Sequence, residues 1–255
     1  MVLWVAAAVI AGMMLVVWAI SVAIRDASIV DILWGFGFVV VAWASWLVAG
    51  GHGVRAALLV AMATAWGLRL AIHLAIRNIG KGEDFRYQAM RRGGGNRFWI
   101  TSLVRVFALQ GVVMWVVSLP LQLGIGEADR GWVGLWVAGA VVFLIGFGFE
   151  TIGDWQLTRF KADPANAGRV MDQGLWRYSR HPNYFGDATA WWGMGLVAAS
   201  TPIGIVGLIG PAVITSLLLR VSGVPMLERS LKKNRPGYDK YIRQTSPFIP
   251  RPPKS

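Results

Sequence analysis

The chain has 255 residues, of which 55% are hydrophobic, and its mean hydropathy is positive. Soluble globular domains rarely have this composition, so the sequence indicates an integral membrane protein. There is no cysteine, which excludes disulfide bonds, a thiol nucleophile and thiolate metal ligands. The net charge of +12 is carried mainly between apolar segments, so anionic headgroups and an anionic ligand are expected partners, and nucleic acid is not.

Seven apolar segments are predicted to cross about 30 Å of hydrocarbon. In chain order they are Val2–Ile24, Ile29–Ala49, Ala56–Ile76, Val106–Ile125, Trp132–Phe149, Tyr184–Ser200 and Ile203–Leu219. If the N-terminus is outside, nearly all of the 25 basic residues fall inside, and Arg55 and Arg130 fall outside. The sequence therefore predicts an all-α integral membrane protein with seven transmembrane helices, an outside N-terminus and a cytoplasmic C-terminus. We expect a single domain over residues 1–255.

Two of the predicted helices carry polar pairs at a spacing of four, which places each pair on one helix face. Arg69 and His73 lie in the third segment, where they can donate to a phosphate or a bound ring. Alternatively, Arg69 snorkels to the surface or pairs with a carboxylate. Glu150 and Asp154 lie at the inner end of the fifth segment, where acidic groups oppose the helix dipole unless a donor offsets it. Alternatively, they are ordinary interfacial residues.

The segment Gly174–Asp187, GLWRYSRHPNYFGD, combines cations, a proline, an amide and a carboxylate just before an apolar run. Pro182 is predicted to be the first residue of the sixth helix, where unpaired backbone N–H groups favour anions. A phosphate seat is the functional interpretation, and positive-inside charge is the alternative for Arg177 and Arg180. The basic tail is predicted to form an interfacial helix followed by extended chain. No glycine-rich phosphate loop follows a strand, and with three His and no Cys a metal site is not expected.

The motif RYSRHPNYFGD and the tail LERSLKKNRPGYDKYIRQTSPFIPRPP resemble the membrane-embedded steroid 5-alpha-reductase family, closest to its bacterial domain-of-unknown-function branch. The resemblance also takes in Ile29–Phe38 and Ala65–Arg77. It implies a seven-helix protein that uses NADPH to reduce a carbon–carbon double bond conjugated to a ketone, as in Δ4-3-oxo steroids. We expect a monomer in a bacterial inner membrane, with the cofactor site on the cytoplasmic side and a hydrophobic enone as substrate.

Carried over by position, with the basic residues of the motif included, the expected cofactor contacts lie mainly in residues 150–255 and 66–97. They are Arg69, His73, Glu150, Asp154, Lys161, Arg169, Arg180, His181, Asn183, Asp187 and Arg220. Glu150 stands where the family has Asn, and Asp187 stands where Glu is more usual. The family's carbonyl-polarising Glu–Tyr pair has no clear counterpart, so Asp31 and Trp34 are the expected catalytic residues. A protonated Asp31 is the hypothetical acid.

Two other functions fit parts of the pattern. The motif and basic tail also resemble isoprenylcysteine and phospholipid methyltransferases, which use S-adenosylmethionine and need no partners for a 2′-phosphate. A non-enzymatic transporter or lipid-binding protein, with intramembrane charges along a path, is the third interpretation.

Overall fold

A computed structural model describes residues 1–126, 131–221 and 223–254 of the chain. These residues form helices and no strands, apart from one isolated bridge between Ser179 and Ser246. The helices are α1 Val2–Ile24, α2 Ile29–Val48, α3 Val54–Asn78, α4 Phe85–Gly94, α5 Phe98–Ser102, α6 Leu109–Val117, α7 Leu119–Ile125, α8 Val133–Ala162, α9 Pro182–Ala198, α10 Ile209–Arg220, α11 Val224–Asn234 and α12 Tyr238–Gln244. The all-α fold class predicted from the sequence is thus confirmed for these residues.

Within the described residues, six helical segments are long and apolar enough to cross a membrane. They are Val2–Ile24, Ile29–Val48, Val54–Asn78, Phe85–Val117, Val133–Ala162 and Ile203–Arg229. The remaining predicted span, Tyr184–Ser200, corresponds to α9, which has 17 residues and is about 25 Å long. The count of seven spans and the outside N-terminus stay predictions. Arg55 is fully buried near Ser200, and Arg130 lies outside the described residues.

The prediction for the fourth span was wrong at both ends. Its helical segment begins at Phe85, in what was predicted to be a polar loop, because the Asp84 side chain caps α4 by accepting from the backbone N–H of Arg86 at 3.0 Å. It ends at Val117, because Pro120 cannot donate to a continuing helix. Gln122 compensates at this break, since its side-chain amide donates to the Trp115 carbonyl at 2.7 Å.

Three other expectations are modified or confirmed by the helix bounds. Helix α8 continues from Val133 to Ala162, so its acidic pair lies within the helix and not at its end. Pro182 is the first residue of α9, as predicted. After α10, the tail forms α11 and α12, and then an extended stretch, which agrees with the predicted order.

The chain divides into two compact units. Unit 1 comprises Met1–Trp136 and Val197–Gly210, and unit 2 comprises Val137–Leu196 and Pro211–Ser255. The single domain expected from the sequence stays a prediction.

Close contact of glycines brings α2 and α3 together in unit 1. A Cβ on Gly35 would lie 2.6 Å from the Gly67 carbonyl oxygen, and one on Gly67 would lie 2.5 Å from the Gly35 oxygen. Beside this contact, the rings of Phe38 and Trp66 are fully buried and meet edge to face at 5.6 Å. Small residues thus allow the backbones of α2 and α3 to touch, as is common between membrane helices.

Helices α8 and α9 of unit 2 pack in the same way over a longer distance. Gly139, Gly146 and Gly153 recur every seven residues along α8 and face α9. A Cβ on Gly146 would lie 2.3 Å from the Ala190 nitrogen, and one on Gly186 would lie 2.3 Å from the Glu150 nitrogen. This seam places Glu150 and Asp154 directly against the first turns of α9.

Candidate functional site

Unit 1 contains a cluster of polar side chains, here called the phenol cluster, formed by Asp31, Asp84, Arg86 and Tyr87. The Tyr87 hydroxyl donates to Oδ1 of Asp31 at 2.7 Å, and Nη2 of Arg86 donates to Oδ2 at 2.6 Å. Nε of Arg86 also donates to Oδ1 of Asp84 at 2.8 Å. Tyr87 is 6% exposed, so its phenol is held by packing as well as by Asp31.

This arrangement changes the chemical role expected of Asp31. Both of its carboxylate oxygens accept hydrogen bonds, one from a cation and one from a phenol, which suits an ionised carboxylate. The group in the cluster that can donate a proton is therefore the Tyr87 hydroxyl. The Arg86 guanidinium lies 5.4 Å from the centroid of the Tyr87 ring, where it can offset negative charge that develops on the phenol oxygen.

A second set of contacts fixes the chain around the phenol cluster. Glu83 accepts from Arg91 through both carboxylate oxygens, at 2.7 and 2.9 Å, and from the backbone N–H of Ala27 at 2.9 Å. Partial burial alone would raise the pKa of Glu83, but the hydrogen bonds from Arg91 and Ala27 hold it below its ordinary value. These bonds connect the turn before α2 to the turn before α4, and so set the distance between Asp31 and Tyr87.

The other expected site residues of unit 1 lie on α2 and α3. Trp34 follows Asp31 by one helical turn, and its ring meets Phe38 edge to face at 5.3 Å. Arg69 and His73 are both half-buried on α3, one turn apart, as their spacing predicts. Their role as cofactor contacts stays a prediction.

Unit 2 places Asp154 and Asn183 together across the glycine seam. Nδ2 of Asn183 donates to Oδ1 of Asp154 at 3.0 Å, and Glu150 and Asp154 are both buried. The Oδ1 atom of Asn183 is buried and has no hydrogen-bond partner within the described part of the chain. A buried amide oxygen of this kind can accept a hydrogen bond from a ligand N–H or O–H group. Asp187 is half-buried one turn further along α9.

Arg180 and His181 lie in a different setting, here called the tail clamp, with Glu228 and the backbone of the tail. Nε of Arg180 donates to Oε1 of Glu228 at 2.8 Å, and Nη1 donates to the carbonyl oxygens of Ile242 and Thr245 at 2.9 and 2.7 Å. The His181 ring lies 3.3 Å from the same Glu228 oxygen. With Arg180 only 8% exposed, these bonds hold the tail against residues 179–181 and assign the arginine a structural task.

Aromatic contacts strengthen the same connection. The Tyr241 hydroxyl donates to the Trp176 carbonyl oxygen, and the Trp176 indole donates to the Gly153 carbonyl at 3.1 Å. Burial raises the pKa of the Tyr238 hydroxyl to about 12, and the nearby Glu228 carboxylate acts in the same direction. Tyr238 therefore stays neutral at physiological pH and packs against Tyr241, with 5.8 Å between the ring centroids, while the Tyr241 hydroxyl serves as the hydrogen-bonding group.

The remaining expected cofactor residues are exposed cations. Lys161 lies at the end of α8 and Arg220 at the end of α10, where the helix dipole stabilises a positive charge. Arg169 lines a cleft in unit 2 that is described below.

Sequence reasoning missed Tyr87 and Arg86 as functional candidates. A signal was present, because Asp84 before an aromatic and basic run is a typical helix N-cap. It predicts a helix that presents Tyr87, but not its partner 56 residues earlier in the chain.

Comparison with known proteins supplies the family. A family described as a protein of unknown function, DUF1295, matches residues 17–245. No curated protein and no solved structure matches the chain. The match covers most of the chain, so the protein belongs to the DUF1295 family, which is the steroid 5-alpha-reductase-like branch anticipated from its motifs.

Proposed function

We propose that the protein is a membrane reductase that uses NADPH to reduce a carbon–carbon double bond conjugated to a ketone in a hydrophobic lipid, such as a Δ4-3-oxo steroid. Its family membership supports this reaction class. The observation that carries the proposal is the part-buried hydrogen bond from Tyr87 to Asp31, because reduction of an enone requires a donor at the carbonyl oxygen.

The residues of unit 2 fit a nicotinamide nucleotide. The buried Oδ1 of Asn183 offers an acceptor to the N–H groups of a carboxamide, and Asp154 fixes the orientation of the Asn183 amide. Glu150 and Asp187 complete the polar contacts that the proposal assigns to the cofactor in unit 2, while the roles of Arg69 and His73 stay predictions. When bound, NADPH supplies the hydride that reaches the β-carbon of the enone.

Proton transfer is assigned to the phenol cluster. At rest the Tyr87 hydroxyl hydrogen points to Asp31, and with substrate it turns to the carbonyl oxygen. It polarises the enone and then protonates the enolate oxygen, and the resulting enol becomes the ketone when its α-carbon takes a proton from solvent and its hydroxyl proton is released to solvent. Arg86 holds Asp31 and offsets charge on the phenolate until solvent returns the proton. In this proposal Asp31 positions the Tyr87 hydroxyl and does not itself act as the acid.

The membrane setting of the proposal goes beyond the six observed apolar helices. We assign α9 as a seventh span, the N-terminus to the outside, and the basic loops and tail to the cytoplasmic face of a bacterial inner membrane. The protein would act as a monomer without a bound metal. Its hydrophobic helices suit a substrate that arrives from the lipid phase.

Ligand protection of the detergent-solubilised protein tests the cofactor assignment. We expect NADPH to raise the thermal midpoint more than NADH or S-adenosylmethionine at equal concentration, since ligands that bind the folded state stabilise it by mass action. Protection by S-adenosylmethionine alone would contradict the reductase and support the methyltransferase alternative.

A turnover assay tests the reaction. NADPH oxidation is followed with a panel of Δ4-3-oxo steroids and other lipid enones, with the corresponding saturated ketones as controls. We expect consumption with at least one enone and none with its saturated counterpart. Absence of NADPH protection and of turnover across the panel would leave the lipid-binding or transport alternative.

A further inference from the structure

Unit 2 contains a cleft of about 780 Å³ outside the buried Asp154–Asn183 pair. This basic cleft is defined by the cations Arg169, Arg177, Lys240 and Lys254 and by the acid Asp172, all of which contribute to its lining. The lining therefore has four positive groups and one negative group. Such a focus of positive charge favours an anion that carries more than one negative charge.

The rest of the lining is mixed, which favours more than a bare phosphate. Gln173 and Gln244 offer amide donors and acceptors, and Asp172 offers an acceptor for a hydroxyl group. Val170 and Pro253 add apolar surface. The volume lies within the range of small-molecule sites, so the cleft has room for an organic group attached to the phosphate.

Three bonds fix the walls of the basic cleft relative to one another. The tail backbone at Lys254 donates to the Gln244 carbonyl at 2.9 Å, and the backbone of Arg251 donates to the Tyr178 carbonyl at 3.0 Å. The Tyr241 hydroxyl bonds to the Trp176 carbonyl. The cations of the tail and of residues 169–177 are thus brought to one cavity by folding, before any ligand binds.

Glycine permits the turns that complete these walls. Gly174 has φ of 57° and Gly237 has φ of 81°, a region that other residues rarely adopt, and both line the cleft. The cavity wall is therefore formed partly by backbone turns of defined conformation, and not only by the side chains of exposed lysines.

We propose that the basic cleft binds the phosphate of a phosphomonoester, with two possible sources: the 2′-phosphate of the nucleotide or the headgroup of a phosphatidic acid. If the phosphate is that of the nucleotide, the inference rests on the proposed function, and the cleft determines the preference for binding NADPH over NADH. If the phosphate is that of a lipid headgroup, the inference is independent of the proposed function.

Two soluble probes distinguish the sources, each measured by isothermal titration calorimetry with the full-length protein in detergent. Adenosine 2′-monophosphate is compared with adenosine, and dihexanoyl phosphatidic acid is compared with dihexanoyl phosphatidylcholine. The test variant is Arg169→Gln/Arg177→Gln. The control is Arg251→Gln, which removes an exposed arginine of the same tail that does not line the cleft.

We expect one phosphomonoester to bind the wild-type protein and the Arg251→Gln control equally, and its Kd to rise by about tenfold in the double variant, as loss of two exposed charged contacts implies. Binding of adenosine 2′-monophosphate assigns the nucleotide source, and binding of phosphatidic acid assigns the lipid source. If neither probe binds, or if the double variant binds as tightly as the control, the inference is overturned.

The same variants separate this inference from the proposed function. If NADPH protects the wild-type protein and the double variant equally, the cleft does not hold the 2′-phosphate, although the reductase proposal stands. If NADPH protects neither protein, the nucleotide source fails together with the reductase proposal, and the phosphatidic acid titration alone decides the cleft.

Discussion

The two units each contain an arginine bonded to a carboxylate, and the two pairs differ in what else the arginine binds. In unit 1, Arg86 bonds to Asp31 and Asp84, and Asp31 in turn holds the Tyr87 hydroxyl. In unit 2, Arg180 bonds to Glu228 and to two backbone carbonyls of the tail. The first pair holds a side chain that can take part in chemistry, whereas the second pair holds the chain itself.

The two arginine–carboxylate pairs also differ in how deeply the arginine is buried. The Arg86 side chain is 37% exposed, while that of Arg180 is 8% exposed. A buried ion pair is costly to break because the remaining partner is left as an isolated charge. A more exposed pair can be altered at lower cost to stability, so its loss is expected to show mainly in function.

The largest expected effect is on the stability of unit 2, through loss of the tail clamp. Arg180→Gln removes the cation paired with Glu228, which keeps its contact with His181, and leaves two backbone carbonyls without their donor. We therefore expect a loss of about 3–5 kcal/mol in the free energy of unfolding. Denaturation of the purified protein in detergent measures it. Arg177→Gln, which removes an exposed arginine three residues earlier, should change stability by less than about 0.5 kcal/mol. Equal effects of the two changes would contradict the structural role of the tail clamp.

A change in the phenol cluster should have a large effect on activity and a small effect on stability. Tyr87→Phe removes the proton donor but keeps the ring, so we expect enone turnover to fall by about 100-fold or more with little change in the thermal midpoint. The NADPH consumption assay measures the first, and thermal unfolding the second. Phe85→Leu, which changes an exposed aromatic side chain on the same helix, serves as the control and should leave turnover unchanged. Full turnover by Tyr87→Phe would remove this residue from the reaction.

The glycine seam of unit 2 provides a smaller and more local test. Gly146→Ala places a Cβ 2.3 Å from the Ala190 nitrogen, so α8 and α9 must move apart, at a cost of about 2 kcal/mol. The separation should also weaken NADPH protection, because the Asp154–Asn183 bond crosses the seam. Gly148→Ala is the matched control, since nothing lies within 4 Å of its added Cβ. It should be neutral or slightly stabilising.

The smallest expected effect concerns Glu83 and depends on pH. Because Arg91 lowers the pKa of Glu83 in the folded protein, the carboxylate stabilises the fold above its ordinary pKa of 4.5, and this contribution is lost as the pH falls through the lowered value. We expect Glu83→Gln to cost about 1 kcal/mol at neutral pH. Thermal midpoints of the two proteins should converge as the pH falls below 4.5, and a constant difference would contradict the ion pair.

The apolar helices were the part of the fold most readily predicted. The bounds of α1 agree with the prediction because Val2–Ile24 is an uninterrupted apolar run. Prediction failed where helical residues are not hydrophobic. Helix α4 is polar but is capped by Asp84, and α8 continues past Phe149 through charged residues. Hydropathy reports burial in lipid, and does not report where backbone hydrogen bonding stops.

The candidate site was predictable where its members are close in sequence. Asn183 and Asp187 were singled out from one motif, and Asp154 from its helical spacing. The partner of Asp31 was not found, because Tyr87 is 56 residues away and the family's Glu–Tyr pair had no local signature here. Likewise, the arginine of the motif at position 180 was expected to face a ligand, and its bonds to the tail depend on the folded chain.

The division into units has a consequence for how this protein can be recombined. The chain passes from unit 1 to unit 2 after Trp136, returns at Val197 and leaves again after Gly210. The returning segment supplies Ser200, whose hydroxyl accepts from the Trp136 indole at 2.9 Å. A single crossover within residues 137–196 would therefore give a unit 1 whose two parts come from different parents. Exchange of either unit as a whole between relatives requires three junctions, one at each passage of the chain.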